Sequence, residues 1–203
     1  MTNTQWWTAD FTGRYTGLIF DCDGTLTDSM PLHYIAWRNT MARYGIRFSQ
    51  ERFYQMGGMP TEKIIATLSQ EQGVSVDPVA ASRAKETAFE SKLHQVKSKP
   101  DVVTVAKNHV GRVKMAVASG SDRAGVELQL QAIGVVDYFP VVVTSEDTTR
   151  HKPEPDVFLL AAARMNVPAN SCLVFEDSPL GMDAAQRAGM DCIDVRFGRL
   201  HTA

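Results

Sequence analysis

Between Pro100 and Val195 the chain repeats one texture: a short apolar run, a polar break, then a longer amphipathic stretch. RVKMAVAS (112–119), PVVVTS (140–145), SCLVFED (171–177) and MDCIDV (190–195) are built on Val, Ile, Met and Phe, without alternating polar residues. Strands of that kind are covered on both faces. The intervening DRAGVELQLQAIG, DVFLLAAARMNV and LGMDAAQRAG read as helices, the first stopped by Gly134 and the second capped by Asp156. Strands alternating with helices build a parallel sheet with helices on both sides. Residues 18–21, LIFD, match these strands in composition and belong to the same sheet.

The stretch from Met30 to Lys99 has a different texture, helix after helix with no convincing strand. PLHYIAWRNTMARYG places apolar residues at helical spacing and ends at Gly45. TEKIIATLSQEQG starts at a Thr61 cap and ends at Gly73. DPVAASRAKETAFESKLHQV starts with Asp77 as cap and Pro78 at the first helical position. The expected organisation is an α/β core of residues 1–29 and 100–203, with an all-helical domain of residues 30–99 inserted after the first strand. Its linkers are residues 27–31 and 97–101, both containing Pro. The segment KSKPDVVTVAKN (97–108) reads as a connection. Trp6 and Trp7 are compatible with packing on the core or with a loose terminus.

The net charge of −2 gives no basis for a broad nucleic-acid or anionic-membrane surface, so a phosphate-bearing partner must be met by a local site. MTNTQWWTADFTGRYTG has no signal-peptide-like apolar core, and no run of about 18 apolar residues occurs. Three widely spaced cysteines, Cys22, Cys172 and Cys192, read as reduced thiols, with Cys22 a small buried hydrophobe. The expectation is a cytoplasmic monomer without a membrane or nucleic-acid partner.

In open parallel sheets, ligands bind beyond the carboxyl ends of the strands. The strand ends here deliver Asp21 and Asp23, then Ser119-Gly120-Ser121, then Lys152, then Glu176 and Asp177. Two like charges about 4 Å apart repel by roughly 4 kcal/mol at an effective dielectric of about 20. Converging carboxylates must shift their pKa values or share a hard cation, and Mg²⁺ takes one or two carboxylates together with waters and phosphate oxygens. DCDG alone is also compatible with a turn. A calcium loop does not fit: counting from Asp21, the sixth position is Leu26 and the twelfth Leu32, where Gly and Glu are required.

DCDGTLTDS, VASGS, KPEPD and FEDSPLGMDAA together resemble the four ordered motifs of the haloacid dehalogenase-like hydrolases. The helical insert resembles the small cap of the β-phosphoglucomutase-like subgroup. The resemblance implies a Rossmann-like core with a cap and an aspartyl-phosphate mechanism. Asp21 is then the nucleophile and Asp23 the general acid and base. Mg²⁺ is held by Asp21, Asp177 and the backbone carbonyl of Asp23, with Glu176 supporting them. Ser119 and the Gly120 amide hold phosphoryl oxygens beside Ser121, and Lys152 neutralises developing charge. The segment before the second motif lacks the family's usual Pro-Gly turn.

The subgroup includes phosphatases and a sugar-phosphate mutase. His33 matches a cap histidine common to both, and Lys85 aligns with a substrate-facing cap lysine, although a solvated helix charge explains it equally. In GGMPTEKI, Thr61 stands where the mutases carry an arginine for the second phosphate, and Gly58 begins a GxPT pattern resembling bacterial fructose-1-phosphate phosphatases. The expected activity is therefore hydrolysis of small phosphorylated metabolites such as fructose 1-phosphate. A mutase and a non-catalytic metabolite-binding protein are the alternatives.

Overall fold

The computed structural model describes residues 5–203. Its core is one six-stranded sheet in the order β3-β2-β1-β4-β5-β6. The strands are β1 Gly17–Phe20, β2 Lys114–Ala118, β3 Val141–Val143, β4 Cys172–Glu176, β5 Asp191–Asp194 and β6 Arg199–His201. β1 to β5 pair in parallel, as the unalternating apolar runs predict. β6 is a correction: it pairs antiparallel with β5 and is exposed throughout, so no apolar run announced it.

Side chains of a strand alternate between faces, and each face has its own helical cover. Leu18, Phe20, Val117 and Phe175 pack under α5 (Pro100–His109) and α6 (Arg123–Ala132). Ile19, Ala116, Ala118 and Val174 pack under α7 (Asp156–Met165) and α8 (Pro179–Arg187). This is the doubly wound, Rossmann-like arrangement expected. α5 overturns the reading of residues 97–108 as a connection. Pro100 opens the helix, and Val102, Val105, Ala106 and His109 are buried. Asp156 is not a cap either; it is the first residue of α7, and its carboxylate accepts from Arg150 Nε at 2.9 Å.

The stretch after β1 folds into α1 (Met30–Arg43), α2 (Gln50–Gln55), α3 (Thr61–Gln72) and α4 (Pro78–Glu90). Trp37, Met41, Phe48, Phe53, Ile65 and Leu68 form a separate apolar cluster there, so these helices do not depend on the sheet for their core. Asp77 caps α4 as expected, accepting from the Val79 and Ala80 amides. α4 stops at Glu90 and a short turn, Leu93–Gln95, follows, so the long 77–96 helix is shorter than read. Gly73 closes α3 at φ 65°, a conformation a side chain resists. Thr61 is not the cap of α3; Pro60 precedes it, and the Thr61 hydroxyl donates to Glu86 Oε1 at 3.0 Å.

The N-terminal segment packs on the sheet. Trp6 stacks over Phe175 at 6.3 Å, Phe11 meets Phe175 edge-on at 5.7 Å, and Phe175 stacks on Phe20 at 4.6 Å. The Phe11 amide donates to His109 Nε2 at 3.0 Å, tying the segment to α5. Gly198 leaves room for the indole: a Cβ there would lie 2.1 Å from Trp6 Cδ1. Trp6→Ala is therefore expected to destabilise the fold by about 2 kcal/mol, less than a fully buried Trp because the indole is half-buried. A denaturation midpoint lowered at constant m-value checks this; an unchanged midpoint would show that the segment does not contribute.

Candidate active site

The two carboxylates after β1 are presented by a tight turn. Asp21 N still donates to Phe175 O at 3.0 Å, so Asp21 follows directly on the end of β1. The amides of Leu26 and Thr27 then donate to Cys22 O at 3.0 Å each, folding the chain back. Gly24 makes this possible twice over. Its φ is +81°, and a Cβ there would lie 2.2 Å from Asp177 Oδ2. Cys22 between the carboxylates is fully buried, as read.

Lys152 links two strand ends. Its ammonium donates to Asp21 Oδ1 and to Glu176 Oε2, both at 2.7 Å, and all three side chains are buried. The other Glu176 oxygen, Oε1, accepts from the amides of Asp177 and Ser178 at 3.1 and 2.9 Å. Both oxygens of Glu176 are thus engaged in holding Lys152 and the start of α8. Gly181 clears the space for that carboxylate, since a Cβ there would lie 2.1 Å from it.

Burial pushes the Asp21 carboxyl well above its usual range, Glu176 adds to the rise, and Lys152 opposes it. Burial and then Glu176 push Asp177 up to about 7. Burial opposes the charge on Lys152, but Asp21 and Glu176 outweigh it and raise the lysine above its ordinary value. Asp21, Glu176 and Asp177 can each bring a carboxylate oxygen within 4.8 Å of the others. Three carboxylates and one ammonium leave a formal −2, which suits a hard divalent cation. With Glu176 engaged, Asp21 and Asp177 are the side chains with oxygen to offer. No hydrogen bond reaches Asp21 Oδ2 or Asp177 Oδ2 among the described residues.

Asp23 has a different environment. Its Oδ1 accepts from Ser29 Oγ at 2.6 Å, His33 Nε2 at 2.8 Å and Gln129 Nε2 at 2.9 Å; its Oδ2 accepts from Ser121 Oγ at 2.6 Å. Burial disfavours its charge, but His33, Ser121 and Ser29 outweigh that and hold it well below the usual carboxylate range. Burial and then the Lys85 charge lower the pKa of His33, which favours the neutral imidazole. The Lys85 ammonium, which can only donate, lies 3.0 Å from His33 Nδ1. Nδ1 therefore accepts, and the proton sits on Nε2, facing Asp23. The ring is fixed by stacking on Phe89 at 3.6 Å.

Lys85 is only 3% exposed, so it is not a solvated helix charge. Gly58, with φ +87°, lies at the seam between helices and core: a Cβ on Gly120 would lie 3.4 Å from Gly58 O. Behind the seam is a cavity of about 90 Å³. Asp21, Asp23, His33, Gly58, Thr61, Lys85, Ser119, Gly120, Ser121, Lys152, Glu176 and Asp177 all line it, so the structure brings every candidate residue together. The sequence reading missed Ser29, Gln129 and Gly181, and the apolar wall of Met30, Trp37, Phe53, Met56 and Ile64. Ser29 and Gly181 lie inside the quoted motifs DCDGTLTDS and FEDSPLGMDAA, whereas nothing local marks Gln129.

Residues 18–195 match the family described as haloacid dehalogenase-like hydrolase. The chain is 41% identical over 184 residues to the fructose-1-phosphate phosphatase YqaB of Escherichia coli, covering 91% of this chain and 98% of that protein. It is 26% identical over 193 residues to the β-phosphoglucomutase of Bacillus subtilis, covering 90% of this chain and 84% of that one. Among solved structures, CbbY of Rhodobacter sphaeroides superposes with a TM-score of 0.80 at 24% identity, over 88% of this chain and 84% of that chain. That last likeness establishes the fold.

Proposed function

The chain belongs to the haloacid dehalogenase-like hydrolases, and within that family we propose that it is a Mg²⁺-dependent phosphatase of small sugar phosphates such as fructose 1-phosphate. The observation that carries this reading is the pairing of Asp21 and Asp23 in one cavity with opposite surroundings. One carboxylate meets a buried lysine and keeps an oxygen without a hydrogen bond; the other is surrounded by protic donors. Phosphoryl transfer through an enzyme carboxylate needs one group that attacks and another that handles protons. The name of the Escherichia coli relative supports the sugar phosphate.

Asp21 attacks phosphorus and forms the aspartyl-phosphate. Ser119 and the Gly120 amide hold phosphoryl oxygens, and Lys152 offsets the charge that develops. Asp21, Asp177 and the Asp23 backbone carbonyl would hold Mg²⁺, which when bound offsets the repulsion between phosphate and carboxylates. Asp23 protonates the departing sugar oxygen and later takes a proton from water. Four donors saturate it in the arrangement described, so it becomes an acid only after some release it. His33 rides on α1 and Ser29 directly precedes it, so movement of residues 30–99 as a cap would provide that release and admit substrate.

Incubation with fructose 1-phosphate is expected to release free phosphate, to stop on chelation of Mg²⁺, and to yield no glucose 6-phosphate from β-glucose 1-phosphate. Glucose 6-phosphate as the main product would establish the mutase. Asp23→Asn is expected to slow fructose 1-phosphate hydrolysis by about 10²- to 10⁴-fold. In single-turnover phosphorylation of Asp21 it should slow p-nitrophenyl phosphate much less than fructose 1-phosphate, because that leaving group needs no proton, whereas hydrolysis of the shared aspartyl-phosphate slows alike for both. Equal losses on both substrates in the phosphorylation step would remove Asp23 from the acid role.

A further inference from the structure

Lys85 is the one formally cationic side chain that α1–α4 and their loops bring to the cavity, among the described residues. Its ammonium has three protons and three partners: His33 Nδ1 at 3.0 Å, Glu86 Oε1 at 3.1 Å and Glu86 Oε2 at 3.0 Å. Glu86 Oε1 also takes the Thr61 hydroxyl. The cation on the core side, Lys152, is likewise engaged, by Asp21 and Glu176. The rest of the cavity wall supplied by α1–α4 and their loops is largely apolar, with Met30, Trp37, Phe53, Met56 and Ile64. A substrate's remote end therefore finds neutral and apolar groups but no free positive charge.

The adjoining cleft points the same way. It has a volume of about 570 Å³ and shares Thr61, Gly120 and Ser121 with the site. Glu62, Glu86, Glu90 and Asp122 line it, against Arg83 and His151. A second anionic group projecting there meets more carboxylates than cations.

We propose that Glu86 is a specificity-determining residue that, by engaging Lys85 and Thr61, restricts the enzyme to monophosphates whose remaining part is uncharged. This rests on the phosphatase reading and adds the charge of the leaving group to it. Glu86 acts by selecting against a second anion, since specificity is a difference between affinities. Replacing its carboxylate with an amide keeps an oxygen to accept from Thr61 and Lys85 and frees the lysine's charge for an incoming anion.

The test compares kcat/KM for fructose 1-phosphate and fructose 1,6-bisphosphate on one preparation, so partial misfolding cancels in the ratio. The wild-type enzyme is expected to prefer the monophosphate by roughly tenfold or more, Glu86→Gln to shrink that preference at least about fivefold, and Glu86→Asp to retain most of it. Equal use of both substrates by the wild type, or an unchanged ratio in Glu86→Gln, overturns the proposal. If neither substrate releases phosphate, the phosphatase reading fails separately. Isothermal titration of the same two sugar phosphates into wild type and Glu86→Gln then reads the selectivity without turnover. A shifted affinity ratio upholds the role of Glu86, and an unshifted one overturns it.

Discussion

Asp21→Asn is expected to lower kcat for fructose 1-phosphate by on the order of 10⁴-fold or more, as losses of enzyme nucleophiles do. The substitution keeps the shape of the side chain, and its oxygen still accepts from Lys152, which lies 2.7 Å from Asp21 Oδ1. What disappears is the negative charge that attacks phosphorus. Stability should change little, because two effects oppose one another. Burial and Glu176 both disfavour an ionised Asp21, so the amide relieves a penalty, while Lys152 loses one of its two charged partners. The melting temperature is expected to stay within roughly 4 °C, equivalent to about 1 kcal/mol for a chain of this length. The chemical check is acid-quenched mixing with phosphate-labelled substrate: label should remain on wild-type protein and be absent from Asp21→Asn. A variant that releases phosphate at nearly the full rate would remove Asp21 as nucleophile.

The carboxylates of the site were legible in the sequence because each follows directly from a strand that announces itself. Where no side chain alternates with polar neighbours, a buried parallel strand is the economical reading, and its carboxyl end fixes where the next residues sit. The Asp77 cap was legible for a similar reason, since Asp-Pro before a helical run satisfies local amides without help from elsewhere. α5 was not legible. Its Val and Thr residues are indifferent helix formers, and the helix is favoured by Val102, Val105 and Ala106 covering the sheet. β6 gave no signal either, because its pairing with β5 supplies the backbone partners and its side chains stay in solvent.

The environment of Asp23 shows the same limit inside the site. Gln129 reaches it from α6, 106 residues later in the chain, and no local pattern says which polar residue on an amphipathic helix faces a distant turn. Lys85 was equally open between surface and interior until His33, Phe89 and Glu86 were placed around it. Spacing within a motif is set by the local backbone and can be read directly. Partnership between motifs depends on packing.

Lys152→Met is expected to have the largest combined effect, about 3–5 kcal/mol of lost stability and loss of measurable phosphatase activity. Methionine approximates the length of the lysine stem, so the apolar packing over Phe158, which the ammonium approaches to 4.9 Å, is largely kept. The loss is electrostatic. Asp21 and Glu176 are buried, and each has one oxygen 2.7 Å from the ammonium; removing it leaves two adjacent carboxylates with no compensating charge. Lys152 also lowers the pKa of Asp21 and Asp177, so without it both rise further. Groups whose folded pKa exceeds the unfolded value bind protons in the native state first, so the folded variant gains stability as pH falls. In metal-free buffer the deficit should therefore grow as pH rises past about 7, near which Asp177 titrates with Lys152 in place, because the variant must then ionise carboxylates whose pKa lies higher still, and should shrink on acidification. Denaturant titrations of both proteins across that range test this. A deficit that stays constant with pH would assign the loss to packing, and a variant as stable as wild type would mean that Lys152 does not offset the carboxylate charge.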